Sequence, residues 1–269
     1  MKKLIFDGGM GTCLQAKGLA GDPVEMNLTH GAEIIDIHRQ YLAAGADVIT
    51  ANTFGAYVSK YPNAEKMIEA AIGHARTAGA KTVALDMGPT GKMMEPFGDM
   101  TPEEAEAEFS ASAQAGKKYG ADMILIETFF CLYELEAAVK AVKVTGLPVV
   151  ATMTFDKKGR TTMGVSLSAM VELLAELGVD ALGMNCGLGP DVYKDLLPDL
   201  LKATTLPVLV QPNAGLPESI DGKTVYTTTP ADFAKVMAEI NAGGCTHLGG
   251  CCGTTPAHIS AMVTACGLK

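Results

Sequence analysis

"GADMILIETF" (Gly120–Phe129) decides the fold. A glycine and an acidic residue lead into a short run that is apolar on both faces, and the run ends in polar residues. The same order recurs in "GADVITANTF" (Gly45–Phe54) and "GVDALGMNC" (Gly178–Cys186). A strand with one wet face alternates apolar and polar residues, whereas an unbroken apolar run suits a parallel strand covered on both sides. The stretches between these runs change period. "AEIIDIHRQYLAA" (Ala32–Ala44) and "LYELEAAVKAVKV" (Leu132–Val144) carry apolar residues at helical spacing.

Working outward gives eight strand candidates: Leu4–Gly8, Val48–Phe54, Thr82–Met87, Met123–Phe129, Val149–Phe155, Ala181–Cys186, Val208–Asn213 and His247–Cys251. Helix-like segments separate them, with no long linker. Eight βα units in 269 residues predict an α/β fold, a single (β/α)8 TIM barrel, with residues 1–269 as one domain. An open doubly wound sheet is the alternative. It would carry a glycine-rich phosphate loop, and "FDGGMGTCLQAKG" (Phe6–Gly18) lacks the full G-x-G-x-x-G spacing.

Composition narrows the function. A formal net charge of -9 argues against nucleic acid and against a bare anionic membrane. No run approaches the roughly 18 apolar residues of a membrane span. The apolar run near the start stops at Asp7, too soon for a secretion signal, so a cytoplasmic protein is expected. Its seven cysteines are then reduced thiols, some of them ligands, rather than a disulfide framework.

A barrel gathers function at the C-terminal ends of its strands. Those ends are polar here: Asp7, Asn52 and Thr53, Glu127 and Thr128, Asn185 and Cys186, Asn213, then Cys251 and Cys252. Any one of these could be a strand-end cap. Cysteine, however, is a poor turn former and a good metal ligand. Neighbouring side chains on a regular strand point to opposite faces, so Cys251 and Cys252 can share a partner only where the strand breaks. Gly249, Gly250 and Gly253 supply the backbone freedom. A buried pair of inert thiols is one reading. The other is zinc, with Cys186 as the best third ligand. Cys245 and His247 fall at the opposite end of strand eight and read as structural, Cys13 and Cys131 as weaker candidates, Cys266 as packing. Three thiolates leave one zinc position open and make the ion a poor polariser of carbonyls. Such a site instead takes up a further thiol and holds it as a nucleophilic thiolate, and the chemistry that follows is alkyl transfer to sulfur.

These residues resemble the zinc-dependent homocysteine S-methyltransferases, above all the homocysteine-binding module of cobalamin-dependent methionine synthase. The resemblance runs through "DGGMGT" (Asp7–Thr12), "ANTFGA" (Ala51–Ala56), "GPTG" (Gly88–Gly91), "ETF" (Glu127–Phe129), "MNCGLGP" (Met184–Pro190), "PNAGLP" (Pro212–Pro217) and "GGCCGTTP" (Gly249–Pro256). It implies that Cys186, Cys251 and Cys252 bind the catalytic zinc and that Asn213 fills the fourth position until substrate displaces it. It implies that Asp7 and Glu127 hold the amino end of homocysteine and that backbone around Gly8 and Gly9 holds its carboxylate. Asn52, Thr53 and Asn185 are placed around the site, and Met10 and Met26 at the donor side of the mouth.

Two departures shape the expected donor. The corrinoid-binding D-x-H-x-x-G pattern is absent, "DIHRQY" (Asp36–Tyr41) lacking the glycine, so methylcobalamin is expected on a separate partner protein. The betaine-using branch closes an aromatic cage over its cation. This chain has no tryptophan and carries Gly55 where that branch has a tyrosine. The readings kept open are a sulfonium donor such as S-methylmethionine or S-adenosylmethionine, a different small thiol as acceptor, and a non-catalytic zinc-containing partner of a corrinoid protein. A monomer is expected, since no C-terminal arm follows the last motif. "TPEEAEAEF" (Thr101–Phe109) reads as a capped, solvated helix start.

Overall fold

The computed structural model describes residues 3–220 and 223–268. Seven strands form one parallel sheet in chain order: Val48–Thr50, Thr82–Met87, Met123–Phe129, Val149–Met153, Ala181–Asn185, Val208–Gln211 and His247–Leu248. The eighth lies at the start of the chain and closes the ring. Ile5 bridges Leu248 and Phe6 bridges Val48, both parallel. Phe6 N–H donates to the Leu248 carbonyl at 2.7 Å, and Val48 N–H to the Ile5 carbonyl at 3.0 Å. Long helices follow the strands around the outside, from Gly31–Ala44 to Pro256–Ala265. The predicted (β/α)8 barrel is therefore the fold, with all eight strands in the expected places.

Several strands are shorter than predicted. The second stops at Thr50 rather than Phe54, the fifth at Met153, the seventh at Gln211 and the eighth at Leu248. The chain leaves the ladder where polar residues begin. Thr53 N–H turns back onto the Ala51 carbonyl at 2.7 Å, which takes Asn52 and Thr53 out of the strand. The helices behave as their composition dictates. Thr101 accepts from Glu104 N–H at 3.2 Å while Glu104 accepts from Thr101 N–H at 3.0 Å, a reciprocal cap with Pro102 at the first helical position. Among the described residues no helix is long and apolar enough to cross a membrane.

The barrel interior positions the site. Phe6, Val48, Ala84, Met123, Leu125, Val150, Ala181 and Leu209 form an inner apolar cluster, distinct from the larger core between strands and helices. Strand side chains repeat their facing every two residues. Stepping two onward from the last apolar position of the strand gives Thr50, Asp86, Glu127, Thr152 and Gln211 on strands two to five and seven, while strand six passes through Gly183 before reaching Asn185. The interior thus changes from apolar to polar within one layer, toward the C-terminal mouth.

One element was not anticipated. After the seventh strand, Pro217–Ile220 and Lys223–Tyr226 pair as an antiparallel hairpin, with Pro217 opposite Tyr226. Its signal was in the sequence: Asp221-Gly222, the favoured two-residue hairpin dipeptide, lies between the two strands.

Gly183 tests how tightly the ring is closed. A Cβ there would run into the Leu209 backbone of the neighbouring strand. Gly183→Ala is expected to lower the unfolding free energy by about 1–3 kcal/mol, the usual cost of overpacking, in urea titrations followed by circular dichroism.

Candidate functional site

The three predicted cysteines converge. Their sulfurs all lie within 4.8 Å of one another, and among the described residues they are the one such group found. Two sulfurs on one tetrahedral zinc sit roughly 3.8 Å apart, given bonds of about 2.3 Å. Each cysteine is fixed through its backbone. Cys186 follows strand six with a left-handed φ of 59°, rare for a residue with a side chain. Its N–H donates to the Gln211 carbonyl at 3.0 Å, and Tyr193 donates to its carbonyl at 2.7 Å. Cys251 N–H reaches the Pro212 carbonyl at 2.9 Å, and the Cys252 carbonyl accepts from Ala214 N–H at 3.0 Å. Strand eight has ended by then, so adjacent side chains are free to turn to one side. Gly253 completes the turn with φ 77°, and the ring of Tyr226 lies where its Cβ would be.

The donor set fits a soft divalent cation. Without one, Cys186 and Cys251 donate to Cys252 and hold its thiol well below the usual range. The same contacts, with burial, push Cys251 well above it. A dication would allow all three to ionise. Asn213 Oδ1 is buried and has no hydrogen-bond partner, while its backbone N–H donates to the Leu188 carbonyl at 3.0 Å, beside the Cys186 turn. An unpartnered amide oxygen there is what a weak, replaceable fourth ligand requires.

The cysteines open on a cavity of about 590 Å³ whose other wall is acidic. Asp7, Asp86 and Glu127 all line it. Burial pushes the Asp7 carboxyl up to about 7, against a hydrogen bond from Thr50 N–H at 2.9 Å. Burial, with the Cys252 and Asp7 charges adding to it, pushes Glu127 up to about 8. Gly8 and Gly9 line the cavity as predicted, for reasons of contact rather than φ. A Cβ on Gly8 would lie 2.9 Å from the Tyr41 hydroxyl, and one on Gly9 2.9 Å from the Cys251 carbonyl oxygen. The Gly9 N–H already donates to Thr254 Oγ1 at 3.2 Å.

Other predicted site residues support the walls. Asn52 lines the cavity, but its amide donates to the Pro23 carbonyl at 2.5 Å and anchors the loop there. Thr53 is absent from the lining: its hydroxyl donates to the Asp86 carbonyl at 2.8 Å and accepts from Asp86 N–H at 3.0 Å, tying strand two to strand three. Asn185 is buried beneath the cavity. Its Oδ1 accepts from Thr128 N–H and from the Thr152 hydroxyl, each at 2.8 Å, and its Nδ2 lies 4.0 Å from Cys251 Sγ. Met10 lines the cavity, whereas Met26 is in the core. Cys245 bonds the Val208 carbonyl at 3.3 Å and His247 accepts from Leu4 N–H at 3.1 Å, both at the far end of the barrel. Cys13 is buried 3.4 Å from the Tyr41 hydroxyl, Cys131 is buried at the start of the helix Leu132–Lys143, and Cys266 bonds the Met237 carbonyl at 3.7 Å.

Sequence reasoning missed Asp86, Gln211 and Tyr226, which also line the cavity. Asp86 and Gln211 could have been found by stepping two residues from Ala84 and Leu209 on their strands. Tyr226 could have been found from the hairpin dipeptide. Its hydroxyl hydrogen-bonds the Cys252 sulfur.

Fold and site together define a barrel with a three-cysteine cluster, able to hold a metal ion, that opens on an acidic pocket. The family model for homocysteine S-methyltransferases matches residues 4–266. The chain is 34% identical to the methionine synthase of Mycobacterium tuberculosis (strain ATCC 25618 / H37Rv) and 33% identical to that of Mycobacterium leprae (strain TN), in each case over 97% of this chain. It spans 24% of the length of each. The metallated form of the homocysteine methyltransferase MmuM from Escherichia coli has the same fold, with a TM-score of 0.83, 24% identity, and cover of 98% of this chain and 96% of that one. The chain belongs to the homocysteine S-methyltransferase family, and with it to the methyltransferases.

Two measurements test the site. Cys186→Ala and Cys251→Ala are each expected to weaken zinc binding on the order of 100-fold or more, since losing a direct ligand costs at least what losing a supporting partner does. Competition with a chromophoric chelator reads this directly. Asp7 gives a pH signature. Its folded pKa of about 7 lies well above the ordinary aspartate value of about 3.9, so the folded state binds the proton more tightly. The resulting destabilisation is absent below the unfolded pKa, grows as pH rises, and is complete above about 7. Asp7→Asn removes it, so the stability gain of the variant should grow between these limits and then level off in urea titrations.

Proposed function

We propose that this protein transfers a methyl group to the sulfur of homocysteine, giving methionine, and that the methyl donor is a methyl-corrinoid carried on a separate protein. The observation that carries the reading is that three convergent cysteines and a group of buried carboxyls open on one cavity. Homocysteine presents the matching pair of groups, a thiol at one end and an ammonium at the other. Cys186, Cys251 and Cys252, with Asn213 as a replaceable fourth donor, would hold a zinc ion, whose contribution would be to lower the pKa of the substrate thiol toward neutral.

The chain's own residues do the rest. Asp7 and Glu127 accept from the ammonium, which a desolvated carboxylate binds well. Backbone around Gly8 faces the carboxylate end. Strand ends fixed on a rigid barrel hold both poles, so the sulfur faces the mouth in one orientation. The sulfur's lone pair attacks the methyl carbon from the side opposite the donor. The S–C bond forms as the donor–methyl bond breaks, and that electron pair leaves with the donor. The thiol proton is released when the substrate binds. The likeness to two methionine synthases supports methionine as the product. A group of three cysteines, rather than four, supports an open metal position and hence a catalytic role over a purely structural one.

The test is methionine formation from homocysteine and free methylcobalamin, read by mass spectrometry with zinc-loaded and zinc-stripped protein. Methionine is expected with zinc alone, and Cys186→Ala and Cys251→Ala are expected to abolish it. Full activity in both variants would overturn the zinc mechanism. Methionine from S-methylmethionine but never from methylcobalamin would replace the donor.

A further inference from the structure

Asp86 stands apart from the residues given a role so far. It is 8% exposed, and its Oδ1 is buried without a hydrogen-bond partner. Its backbone is clamped at both N–H and carbonyl by the Thr53 hydroxyl, so the side chain has a fixed origin. Strand three is paired with strand four there, Asp86 lying opposite Leu125, while the ladder to strand two has already ended at Ala84. The side chain sits two residues beyond Ala84, a member of the inner apolar cluster, and it lines the same cavity as Asp7 and Glu127. A structural aspartate would be expected to spend its oxygens on backbone N–H groups, as Asp7 does on Thr50. Asp86 leaves an oxygen unspent in the cavity wall.

A second unpartnered acceptor belongs to a residue lining the same cavity. Gln211 Oε1, on strand seven, is buried and lacks a donor, in a residue 3% exposed that also lines the cavity. The pocket is therefore short of hydrogen-bond donors. It is also short of positive charge. Among the described residues the one basic side chain in the wall is Lys60, which is engaged with Asp22 at 3.3 Å. Three buried carboxyls in one pocket repel one another, and burial makes each charge expensive. Burial first, and then the Glu127 and Asp7 charges, push the Asp86 carboxyl well above its ordinary value. A cationic ligand with several N–H groups relieves both deficits at once.

We propose that Asp86 is a specificity-determining residue: it is a third acceptor for the α-ammonium of the substrate and makes a protonated amine a requirement for binding. The inference rests on the pocket being the homocysteine site, and it adds the residue that enforces the choice. An ammonium has three N–H donors. Asp7, Glu127 and Asp86 then offer one carboxylate to each of the three, Asp7 through the oxygen that Thr50 leaves free. A thiol with no amine leaves the three carboxyls uncompensated and is rejected for that reason.

The experiment compares two thiols on zinc-loaded protein by calorimetry, with no methyl donor present. Homocysteine is one; 4-mercaptobutanoate, with the same thiol, chain and carboxylate but no amine, is the other. The wild type is expected to prefer homocysteine by about 100-fold or more, as charge-assisted hydrogen bonds in a desolvated pocket imply. In Asp86→Asn the homocysteine affinity should fall about tenfold while that of the amine-free thiol holds or rises, so the preference shrinks by at least that factor. Asp86→Ser, smaller and also neutral, should shrink it similarly and serves if the asparagine variant does not fold. Asp86→Glu, which keeps the charge, should retain most of the preference. An unchanged ratio in the neutral variants overturns the proposal, including the case where both affinities fall together, as a merely structural role would produce. Should Glu127→Gln then still lower the ratio, amine recognition stands without Asp86. Because binding is read without a donor, failure of the methyl-transfer reading would appear separately, as absent methionine.

Discussion

The site depends on a seam. The first strand is only two bridged residues long, yet it lies between the last strand and the second and so closes the barrel. That closure carries the segment after Phe6 onto the segment after Leu248. Gly250 N–H donates to the Asp7 carbonyl at 3.0 Å. Gly9 N–H donates to Thr254 Oγ1 and Gly253 N–H to Thr12 Oγ1, each at 3.2 Å. Thr254 Oγ1 in turn donates to the Cys251 carbonyl at 2.6 Å. The two glycine-rich motifs are thus one interlocked turn, built from the two ends of the chain. An acid of the pocket and two of its three cysteines are set by the same bonds. Gly8 is there because the Thr254 and Tyr41 side chains press on it, and Gly9 because Thr12 and the Cys251 backbone do, not because the chain needs unusual dihedrals at either.

Above that seam the interior changes character within one step of the strand repeat. Phe6, Val48, Ala84, Leu125, Val150 and Leu209 make a dry plug. Thr50, Asp86, Glu127 and Gln211 make the floor of the pocket directly above it. The plug explains why the carboxyls are so perturbed. Water cannot reach them from below, and they share one low-dielectric neighbourhood, so each holds its proton more tightly than an exposed acid would. The same dryness strengthens their attraction for a bound cation. The cost in the empty protein and the selectivity in the occupied one come from a single cause.

What the sequence made legible follows from which signals are periodic. The buried parallel strands are runs of apolar residues, and "VVATM" and "ALGMN" read as strands whatever surrounds them. The cysteines were legible because adjacent thiols among glycines have few uses. Strand ends were less legible, since a polar residue after an apolar run looks alike whether it faces the pocket, bonds a neighbouring strand or starts a loop. Thr53 and Asn52 lie past the point where strand two leaves the ladder, so they brace Asp86 and the Pro23 loop. Facing, not polarity, separates them from Asp86 and Gln211, and facing follows from parity along the strand. The hairpin bearing Tyr226 escaped notice because it is an insertion outside the βα rhythm.

The two poles of the pocket are also coupled to each other. Thr128 and Cys186 are the two residues other than glycine with positive φ among those described. One follows the acid Glu127 and the other belongs to the three-cysteine cluster. A left-handed backbone is costly for a side-chain-bearing residue and persists where surrounding structure holds it. Asn185 holds the first: its Oδ1 takes the Thr128 N–H and its Nδ2 donates to the Thr128 hydroxyl, both at 2.8 Å. Tyr193 holds the second, donating to the carbonyls of Asn185 and Cys186 at 2.8 and 2.7 Å. Asn185 therefore immediately precedes one strained residue and clamps the other. The spacing between the cysteine cluster and the acidic wall is thus fixed through one buried amide. Strain at both poles is the consequence, and it is held by bonds that never touch the ligand.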